Sequence, residues 1–401
     1  MMSFATQDLR SPADLSLLTS FDFQSRTRLI FGANSIERVG ELAKELPAKR
    51  ILLVTDVGIV AAGHAGRVKM LLETHGLSVF VFDQVQENPT TRCVDRCLDV
   101  AKENQIDALV GLGGGSSMDT AKGCNFLLTN GGAMKDYWGV GKATKPMLPL
   151  IAIPTTAGTG SECQSAALIA DEITHQKMAC LDPKAAARIA ILDPVLTVSQ
   201  PPRVTACTGI DAIAHAVESA VTKKRNPLSI MYSREAFRLT TNSFSSVLEN
   251  PNDLEARGQM LLGAAFAGIA IENSMLGAAH SAANPLTAHY GIVHGQAVGM
   301  MLPHIVRFNG EELDAQETYA DLARFGRLSS AHENQAAWLE FIDWLDSILE
   351  SAQISSSLAG YGVKHSELAN LAEEAAHQWT ATFNPRSITA EDFAKIYAAA
   401  F

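Results

Sequence analysis

Concentrated positive charge is the first feature that the 401-residue sequence lacks. Its 32 lysines and arginines form no block or stripe, and its 43 aspartates and glutamates give a formal net charge of −11. Nucleic acids and anionic membrane surfaces bind proteins through clustered basic residues, so we expect neither as a partner. The acidic balance favours solubility instead.

The sequence also lacks the marks of a secreted or membrane-bound protein. Its six cysteines form no CxxC pair, and free thiols are typical of a reducing cytosol. The first ten residues contain no basic start followed by an apolar run, so they predict no signal peptide. The most apolar stretch, residues 260–271, is interrupted by glycine and is too short to span a bilayer. We therefore expect a cytoplasmic protein.

Length and residue pattern predict two domains, and hydrophobic residues make up 47% of the chain, enough for two cores. Between residues 28 and 192, runs rich in Val, Ile, Leu and Phe alternate with helical patterns, which predicts a parallel sheet buried between helices. The strand runs are residues 28–31, 51–55, 78–82, 108–111 and 150–154, with shorter ones near 167–169, 177–180 and 189–192. After Pro201 and Pro202 only helical patterns continue. We expect a Rossmann-like α/β domain over residues 1–200 and an all-α domain over residues 201–401.

A glycine-rich turn follows one of the predicted strands, in the sequence Leu-Val-Gly-Leu-Gly-Gly-Gly-Ser-Ser-Met-Asp from residue 109. Glycine lets backbone N–H groups approach phosphate oxygens, and a helix N-terminus adds partial positive charge. The sequence is neither a Walker A motif nor a GxGxxG motif. A glycine-rich connection also serves close packing of a strand against a helix, and the turn alone does not separate the two interpretations.

Two further segments favour nucleotide binding. Asp56 ends a strand-like run, where an acid can accept hydrogen bonds from the adenosine ribose and repel a 2′-phosphate, favouring NAD over NADP. An acid in that place also serves as a cap for the next turn. The loop at residues 153–162 is rich in glycine and hydroxyl groups, which suit phosphate or the nicotinamide ribose, although an ordinary capping turn has the same composition.

Four side chains in the second half form a candidate metal site. Asp211 and His215 are four residues apart, so on a helix they share a face. His280 and His294 lie on either side of the sequence Pro-Leu-Thr-Ala-His-Tyr-Gly, for which we expect a turn. Three imidazoles and one carboxylate, with no thiolate, suit a borderline divalent ion such as Fe²⁺ or Zn²⁺. Taken singly, each residue has the ordinary alternative of a hydrogen-bonded surface or core side chain.

Taken together, these segments resemble the iron-containing (group III) alcohol dehydrogenases. The matching sequences are Gly-Gly-Gly-Ser-Ser-Met-Asp-Thr-Ala-Lys, Pro-Thr-Thr-Ala-Gly-Thr-Gly-Ser-Glu, Gly-Ile-Asp-Ala-Ile-Ala-His-Ala-Val-Glu and Val-His-Gly-Gln-Ala, in the family's order. The likeness covers nearly the whole chain from Arg28. It implies a dehydroquinate synthase-like architecture, in which a dinucleotide-binding α/β domain and a helical domain enclose a cleft, and it implies a homodimer.

The resemblance also implies roles for individual residues. Its metal ligands, for Fe²⁺ or alternatively Zn²⁺, match Asp211, His215, His280 and His294. Its NAD contacts match Asp56, Asn88, Gly113, Gly114, Gly115, Ser116, Asp119, Thr155, Thr156 and Lys177. Many members carry a second histidine four residues after the first of the histidine pair, where this chain has Asn284. An amide cannot act as an acid or base near neutral pH, so the proton relay assigned to that histidine is not expected here. Asn284 itself and the nearby His289 are the catalytic candidates.

The resemblance implies reversible hydride transfer between a small alcohol or diol and NAD, giving an aldehyde or ketone. In that reaction the metal lowers the pKa of the alcohol, and the proton leaves through water and ribose hydroxyls. One alternative is an NAD- and metal-dependent lyase of the dehydroquinate synthase type. Such an enzyme needs several basic residues for a phosphate-bearing substrate, and the helical half shows few candidates, namely Lys223, Lys224 and Arg225, which cluster on an expected surface turn. A second alternative is a non-catalytic NAD- or metal-binding protein, against which the intact ligand set argues.

Overall fold

The computed structural model describes residues 20–174 and 176–401. Nine strands lie in its first half, and most of them are short and rich in branched apolar residues. In chain order they are β1 (Arg28–Phe31), β2 (Arg50–Val54), β3 (Ser78–Phe82), β4 (Ala108–Gly113), β5 (Gly139–Val140), β6 (Leu150–Pro154), β7 (Ala166–Ala170), β8 (Lys177–Leu181) and β9 (Ile189–Leu192).

Six of these strands form an all-parallel sheet in the order β1-β9-β6-β4-β2-β3. Strand β4 is flanked by β2 and β6, and all six of its residues are buried. Because β4 and β6 are parallel, the glycine-rich turn after Gly113 and the hydroxyl-rich loop after Pro154 leave the same edge of the sheet. The predicted Rossmann-like α/β fold is confirmed.

Five helices connect the strands of this half. They are α1 (Val39–Lys44), α2 (Val57–Ala61), α3 (His64–Thr74), α4 (Thr91–Glu103) and α5 (Gly115–Asn130). The residue pattern does not predict α2, because this five-residue helix buries none of its side chains and so has no apolar periodicity. Helix α5, in contrast, buries most of its length and begins inside the glycine-rich turn.

Strands β5, β8 and β7 form a separate three-stranded sheet. The short strands expected near residues 167–169 and 177–180 are therefore present, but β7 and β8 pair antiparallel with each other and not with the large sheet. Only residues 171–176 join them, and a connection that short allows a hairpin but no crossover to a parallel neighbour.

Within the described residues, the chain after Pro201 forms only helices and their connections, which confirms the expected all-α second half. The α-helices are α6 (Pro202–Val221), α7 (Pro227–Glu249), α8 (Leu254–Ser274), α9 (Ala278–Tyr290), α10 (His294–Asn309), α11 (Leu313–Phe325), α12 (Asn334–Ser351), α13 (Leu368–Ala376) and α14 (Ala390–Ala399). Helix α6 buries sixteen of the seventeen residues from Thr205 to Val221, so it lies at the centre of this half.

The prediction of a turn between the two candidate histidine ligands is wrong for most of the segment, which is helical. Helix α9 continues through Pro285 and ends only before Gly291, whose φ of +64° suits glycine. Pro285 removes one helical hydrogen bond, but Pro285 and Leu286 are both buried. Tertiary packing of this face outweighs the local preference of proline.

Within residues 20–174 and 176–401, no helix on its own has both the length and the hydropathy of a membrane span. Helices α8 and α9 reach those limits only when counted together, and they are bent by 106° at the short break between them. This sharp corner begins the helix that carries His280.

Candidate metal and cofactor site

Helix α6 supplies two buried ligand candidates from one face. Asp211 is 3% exposed and His215 is 5% exposed, and their four-residue spacing places them one helical turn apart. His215 Nε2 lies 3.5 Å from Asp211 Oδ1. The other ring nitrogen, Nδ1, lies 3.3 Å from the carbonyl oxygen of Gly158. A bond donated from Nδ1 to that carbonyl leaves Nε2 free to face a cation.

Helix α9 brings His280 to the same point. Its Nε2 also lies 3.5 Å from Asp211 Oδ1, and its ring stacks on His215 with 4.8 Å between ring centroids. The ligand atoms of Asp211, His215 and His280 all lie within 4.8 Å of one another. His294, the first residue of α10, stands beside this group, with its ring centroid 5.3 Å from that of His280. The structure therefore brings together the four residues that the sequence suggested.

Electrostatic effects in this group oppose one another. Burial disfavours the charged form of Asp211, but the neighbouring histidines outweigh it and hold the pKa of the carboxyl below its usual range. Burial and the charge of Lys177 lower the pKa of His294 to about 3. Burial also disfavours protonated His280, but the carboxylates of Glu218 and Asp211 outweigh it and raise its pKa to about 9. Asp211 is thus held in its charged form and His294 in its neutral form, which are the forms that bind a cation.

Three ligand atoms in the group are buried without a hydrogen-bond partner, namely Asp211 Oδ1, His280 Nε2 and His294 Nδ1. Each such atom costs about 1–3 kcal/mol when it is left unpaired. A divalent ion would offset that cost. One carboxylate oxygen and imidazole nitrogens, without thiolate, are a donor set for Fe²⁺ or Zn²⁺. The residues present therefore fit the implied metal.

The glycine-rich turn leads directly into the N-terminus of α5, as binding of a phosphate requires, and it packs closely against the neighbouring loop. Gly113 has a φ of +142°, a conformation that side chains disfavour, and α5 begins at Gly115. A β-carbon on Gly115 would stand 2.8 Å from Thr159 of the neighbouring loop. Gly114 is the N-cap of α5, so the first N–H groups of the helix point out of the turn. The hydroxyl of Ser117 in the first helical turn is buried and unpartnered.

Asp56 caps the helix that follows it and leaves one carboxylate oxygen beside the glycine-rich turn. Its Oδ1 accepts hydrogen bonds from the backbone N–H groups of Gly58 (2.8 Å) and Ile59 (3.0 Å), so it is the N-cap of α2. Its Oδ2 faces the glycine-rich turn, 3.4 Å from the position of a β-carbon on Gly113. The cap thus uses one carboxylate oxygen and leaves the other beside the turn.

Thr155 and Thr156 begin the loop after β6. The backbone N–H of Thr155 donates to the Gly113 carbonyl at 3.0 Å, and Gln200 donates to the carbonyl of Thr155. Thr156 lies 3.4 Å from the position of a β-carbon on Gly114. The loop therefore forms the second wall of the space beside the turn.

A buried charged cluster lies behind this loop. Ser161 donates its hydroxyl to Asp119 at 2.9 Å, and burial raises the pKa of that aspartate. The Nζ of Lys122 is fully enclosed and donates to the Ser161 carbonyl (2.6 Å), the Ser161 hydroxyl (2.9 Å) and the Ala166 carbonyl (3.0 Å). These bonds tie α5 to the loop and to β7.

Lys177, the first residue of β8, interacts electrostatically with residues of both predicted sites. Burial lowers the pKa of its amine, while the carboxylates of Asp119 and Asp211 both raise it. Its own charge helps to lower the pKa of His294. One amine thus acts electrostatically on a predicted NAD contact and on two predicted metal ligands.

Comparison with known proteins decides the family. The chain matches the model for iron-containing alcohol dehydrogenase over residues 26–194 and the model for the C-terminal part of the Fe-containing alcohol dehydrogenase family over residues 205–401. This chain belongs to the iron-containing alcohol dehydrogenase family. The expected resemblance is confirmed.

Relatives of this alcohol dehydrogenase family member match almost end to end. Alcohol dehydrogenase 4 of Schizosaccharomyces pombe is 35% identical over 371 residues, which cover 92% of this chain and 87% of the relative. NAD-dependent methanol dehydrogenase of Bacillus methanolicus is 35% identical over 368 residues, covering 92% and 96%. The crystal structure of a 1,3-propanediol oxidoreductase matches with a TM-score of 0.92 at 32% identity, covering 96% of this chain and all of the other.

Three of the predicted residues lie less centrally than expected. Asn88 is exposed on the connection between β3 and α4, with a φ of +51°. Asn284 Nδ2 donates to Gln378 Oε1 at 3.1 Å. His289 is half exposed, lies 2.8 Å from Glu374, and is nine residues after His280, which places it on the opposite face of α9. Its expected participation in proton transfer has no geometric support.

One residue of the site escaped the sequence-based prediction. Glu218 is 4% exposed and bonds Nδ1 of His280 through a short contact. A signal was available, because Asp211, His215 and Glu218 follow one another at spacings of four and three, which repeat one helical face. Asp-x-x-x-His-x-x-Glu on a helix therefore predicts a ligand pair with a carboxylate on the same face.

Proposed function

We propose that this family member oxidises a small alcohol or diol with NAD, and reduces the corresponding aldehyde or ketone in the reverse direction. The observation that carries the proposal is the convergence of Asp211, His215 and His280 beside His294, with Lys177 acting from the cofactor side. Relatives that match over nine-tenths of the chain are named alcohol and methanol dehydrogenases, and a structure with the same fold is a 1,3-propanediol oxidoreductase.

In this proposal Asp211, His215, His280 and His294 hold Fe²⁺ or Zn²⁺. When bound, that ion supplies Lewis-acid stabilisation of negative charge on the substrate oxygen. The protein residues keep the site dry, since the side chains of Asp211, His215 and His280 are all buried. Gly158 and Glu218 hold the rings of His215 and His280 through their Nδ1 atoms.

The same proposal assigns NAD to the space beside the glycine-rich turn. Gly113, Gly114, Gly115 and Ser116 offer backbone N–H groups and a helix N-terminus to the pyrophosphate. Asp56 offers Oδ2 to the ribose of the adenosine, which disfavours a 2′-phosphate. The residues proposed to hold the remainder of the cofactor are Asn88, Asp119, Thr155, Thr156 and Lys177.

The proposal also covers the cellular compartment, the oligomeric state and the partners of the protein. All six cysteines are free and buried, which supports a reducing compartment such as the cytoplasm. We further propose a homodimer, as the family resemblance implies. Small-molecule substrates are the expected partners, and neither nucleic acid nor membrane is required.

The proposal is tested by metal analysis combined with NADH absorbance. The His280→Ala variant should lose its stoichiometric metal and most alcohol-dependent NADH production, because it removes one of the four proposed metal ligands. His377→Ala is a matched control, since His377 is exposed and bonds only the backbone of its own helix. Undiminished activity in chelator-treated His280→Ala protein would reject the metal mechanism, and turnover without net NADH would favour the lyase.

A further inference from the structure

We infer that Glu218 is a positioning residue, which fixes the ring of His280 so that Nε2 faces the metal. This inference rests on the proposed function, because it takes His280 as a ligand. In this inference Glu218 is not a ligand, and it acts through the imidazole of His280 and the start of α9.

One buried carboxylate bonds two successive residues of α9. Glu218 Oε1 accepts the backbone N–H of Ala279 at 2.7 Å, and Oε2 makes a short bond with Nδ1 of His280. Both residues belong to the first turn of the helix, whose N–H groups have no acceptor within the helix. The negative charge also lies at the positive end of the α9 dipole. Glu218 therefore holds the backbone and the side chain of the ligand residue together.

The bend between α8 and α9, which places His280, is held by contacts from other parts of the chain and not by local backbone preference. Met275, between α8 and α9, has a φ of +73°, which favours glycine. Thr222, four residues after Glu218, donates its hydroxyl to the Ser274 carbonyl at 2.6 Å. Asn384 Oδ1 accepts the N–H of Ala278 at 3.3 Å. Both sides of the corner are thus bonded to groups from other parts of the chain: Thr222, just after α6, bonds the end of α8, and Glu218 of α6 makes two bonds to the start of α9.

The chemistry of the two nitrogens makes the bond to Glu218 directional. A carboxylate only accepts hydrogen bonds, so Nδ1 must carry the hydrogen. Nε2 makes no hydrogen bond, although it is buried and lies 3.5 Å from Asp211 Oδ1. An ion held at Nε2 would take the place of any proton there, and the bond to Glu218 would keep the hydrogen on Nδ1. The carboxylate also increases the basicity of the ring toward the ion.

Replacement of Glu218 by glutamine removes the negative charge and one of the two acceptors while keeping the size of the side chain. The amide of Glu218→Gln has one acceptor and one donor end, whereas Ala279 N–H and His280 Nδ1–H both require acceptors. If the oxygen bonds Ala279, the NH₂ group faces Nδ1 and favours hydrogen on Nε2, the wrong nitrogen. The variant has nearly the volume of glutamate, so the effect is not one of packing.

The experiment measures Zn²⁺ affinity of the metal-free full-length protein by competition with a chelating dye. We expect Glu218→Gln to bind Zn²⁺ about 10–100-fold more weakly than the wild type. Ser281→Ala is the matched control, because Ser281 is the next residue of α9 and loses a buried hydroxyl bond with Thr380 (2.7 Å) without touching the imidazole. It should lower the melting temperature and leave Zn²⁺ affinity within about twofold.

A second readout works on the wild type and does not depend on how well a variant folds. In Zn²⁺-loaded protein labelled with ¹⁵N-histidine, the spectrum should show His280 with its hydrogen on Nδ1. A His280 signal without that hydrogen would overturn the inference, and so would wild-type Zn²⁺ affinity in Glu218→Gln. Loss of affinity in His280→Ala alongside intact affinity in Glu218→Gln rejects only the role of Glu218. Intact affinity in both variants rejects the proposed metal site itself.

Discussion

Asp56 and Gly113 face each other across the carboxyl ends of β2 and β4, with Asp56 Oδ2 3.4 Å from the position of a β-carbon on the glycine. The second oxygen of the same carboxylate caps α2. Helix capping uses one oxygen of the carboxylate and the proposed ribose contact would use the other, so the two can be changed separately.

Asp56→Asn should shift cofactor preference toward NADP. Asparagine caps helices about as well as aspartate, so α2 keeps its N-terminal bonds while the negative charge disappears. We expect the ratio of kcat/KM for NADP to that for NAD to rise about tenfold or more, as repulsion of the 2′-phosphate is removed. Steady-state kinetics with both cofactors measure it. An unchanged ratio, with an unchanged melting temperature, would exclude Asp56 from the ribose site.

Gly295→Ala should weaken the metal site through the backbone. A β-carbon on Gly295 would stand 2.1 Å from the carbonyl oxygen of Cys207 and 3.2 Å from Cβ of Asp211. Helix α10 would have to move away from α6 and take His294 with it. We expect a loss of about 1–3 kcal/mol in unfolding free energy and weaker Zn²⁺ binding.

Gly66→Ala is the control for that substitution. Gly66 lies in α3, and a β-carbon there meets nothing within 4 Å. Its unfolding free energy should stay equal or rise by up to about 1 kcal/mol, because alanine is the better helix former. Denaturant titration of both variants decides the matter. Equal stability of Gly295→Ala and the wild type would mean that α6 and α10 do not approach so closely.

Glu162 predicts a pH dependence of stability. The residue is 2% exposed, its Oε1 has no hydrogen-bond partner, and burial raises the pKa of its carboxyl from 4.5 to about 7. Between these values the unfolded chain has lost a proton that the folded chain still holds. The unfolding free energy therefore falls as pH rises from about 4.5 to 7 and levels off above pH 7.

Glu162→Gln should remove that fall. At about 1.4 kcal/mol for each pH unit between the two pKa values, the variant should gain up to about 3 kcal/mol on the wild type between pH 4.5 and pH 8. Denaturant titrations at the two pH values provide the comparison. Glu249→Gln, at an exposed position, should run parallel to the wild type. A constant difference between Glu162→Gln and the wild type across this range would contradict the raised pKa.

The sequence allowed the sheet and the ligand face of α6 to be predicted for a physical reason. Strands buried on both faces, such as β4 and β6, are continuous apolar runs. Asp211 and His215 are four residues apart, so any helix over this segment places both side chains on the same face. These features depend on neighbouring residues alone.

Other features depend on contacts that no local pattern contains. Pro285 and Gly291 indicate a turn by local preference, yet α9 continues through the proline because its apolar face is buried. The pairing of β7 with β8 in a second sheet follows from the short connection between them. The apolar pattern of a strand does not show which strand it pairs with. Glu218 gains its role only when the start of α9 is placed against it.

The bond between His215 Nδ1 and the Gly158 carbonyl joins a helix of the second half to the loop that follows β6. Whatever moves that loop also moves a ring of the cation cluster. If a dinucleotide shifts this loop when it binds, it changes the affinity for the ion, and the ion then changes the affinity for the dinucleotide by the same factor.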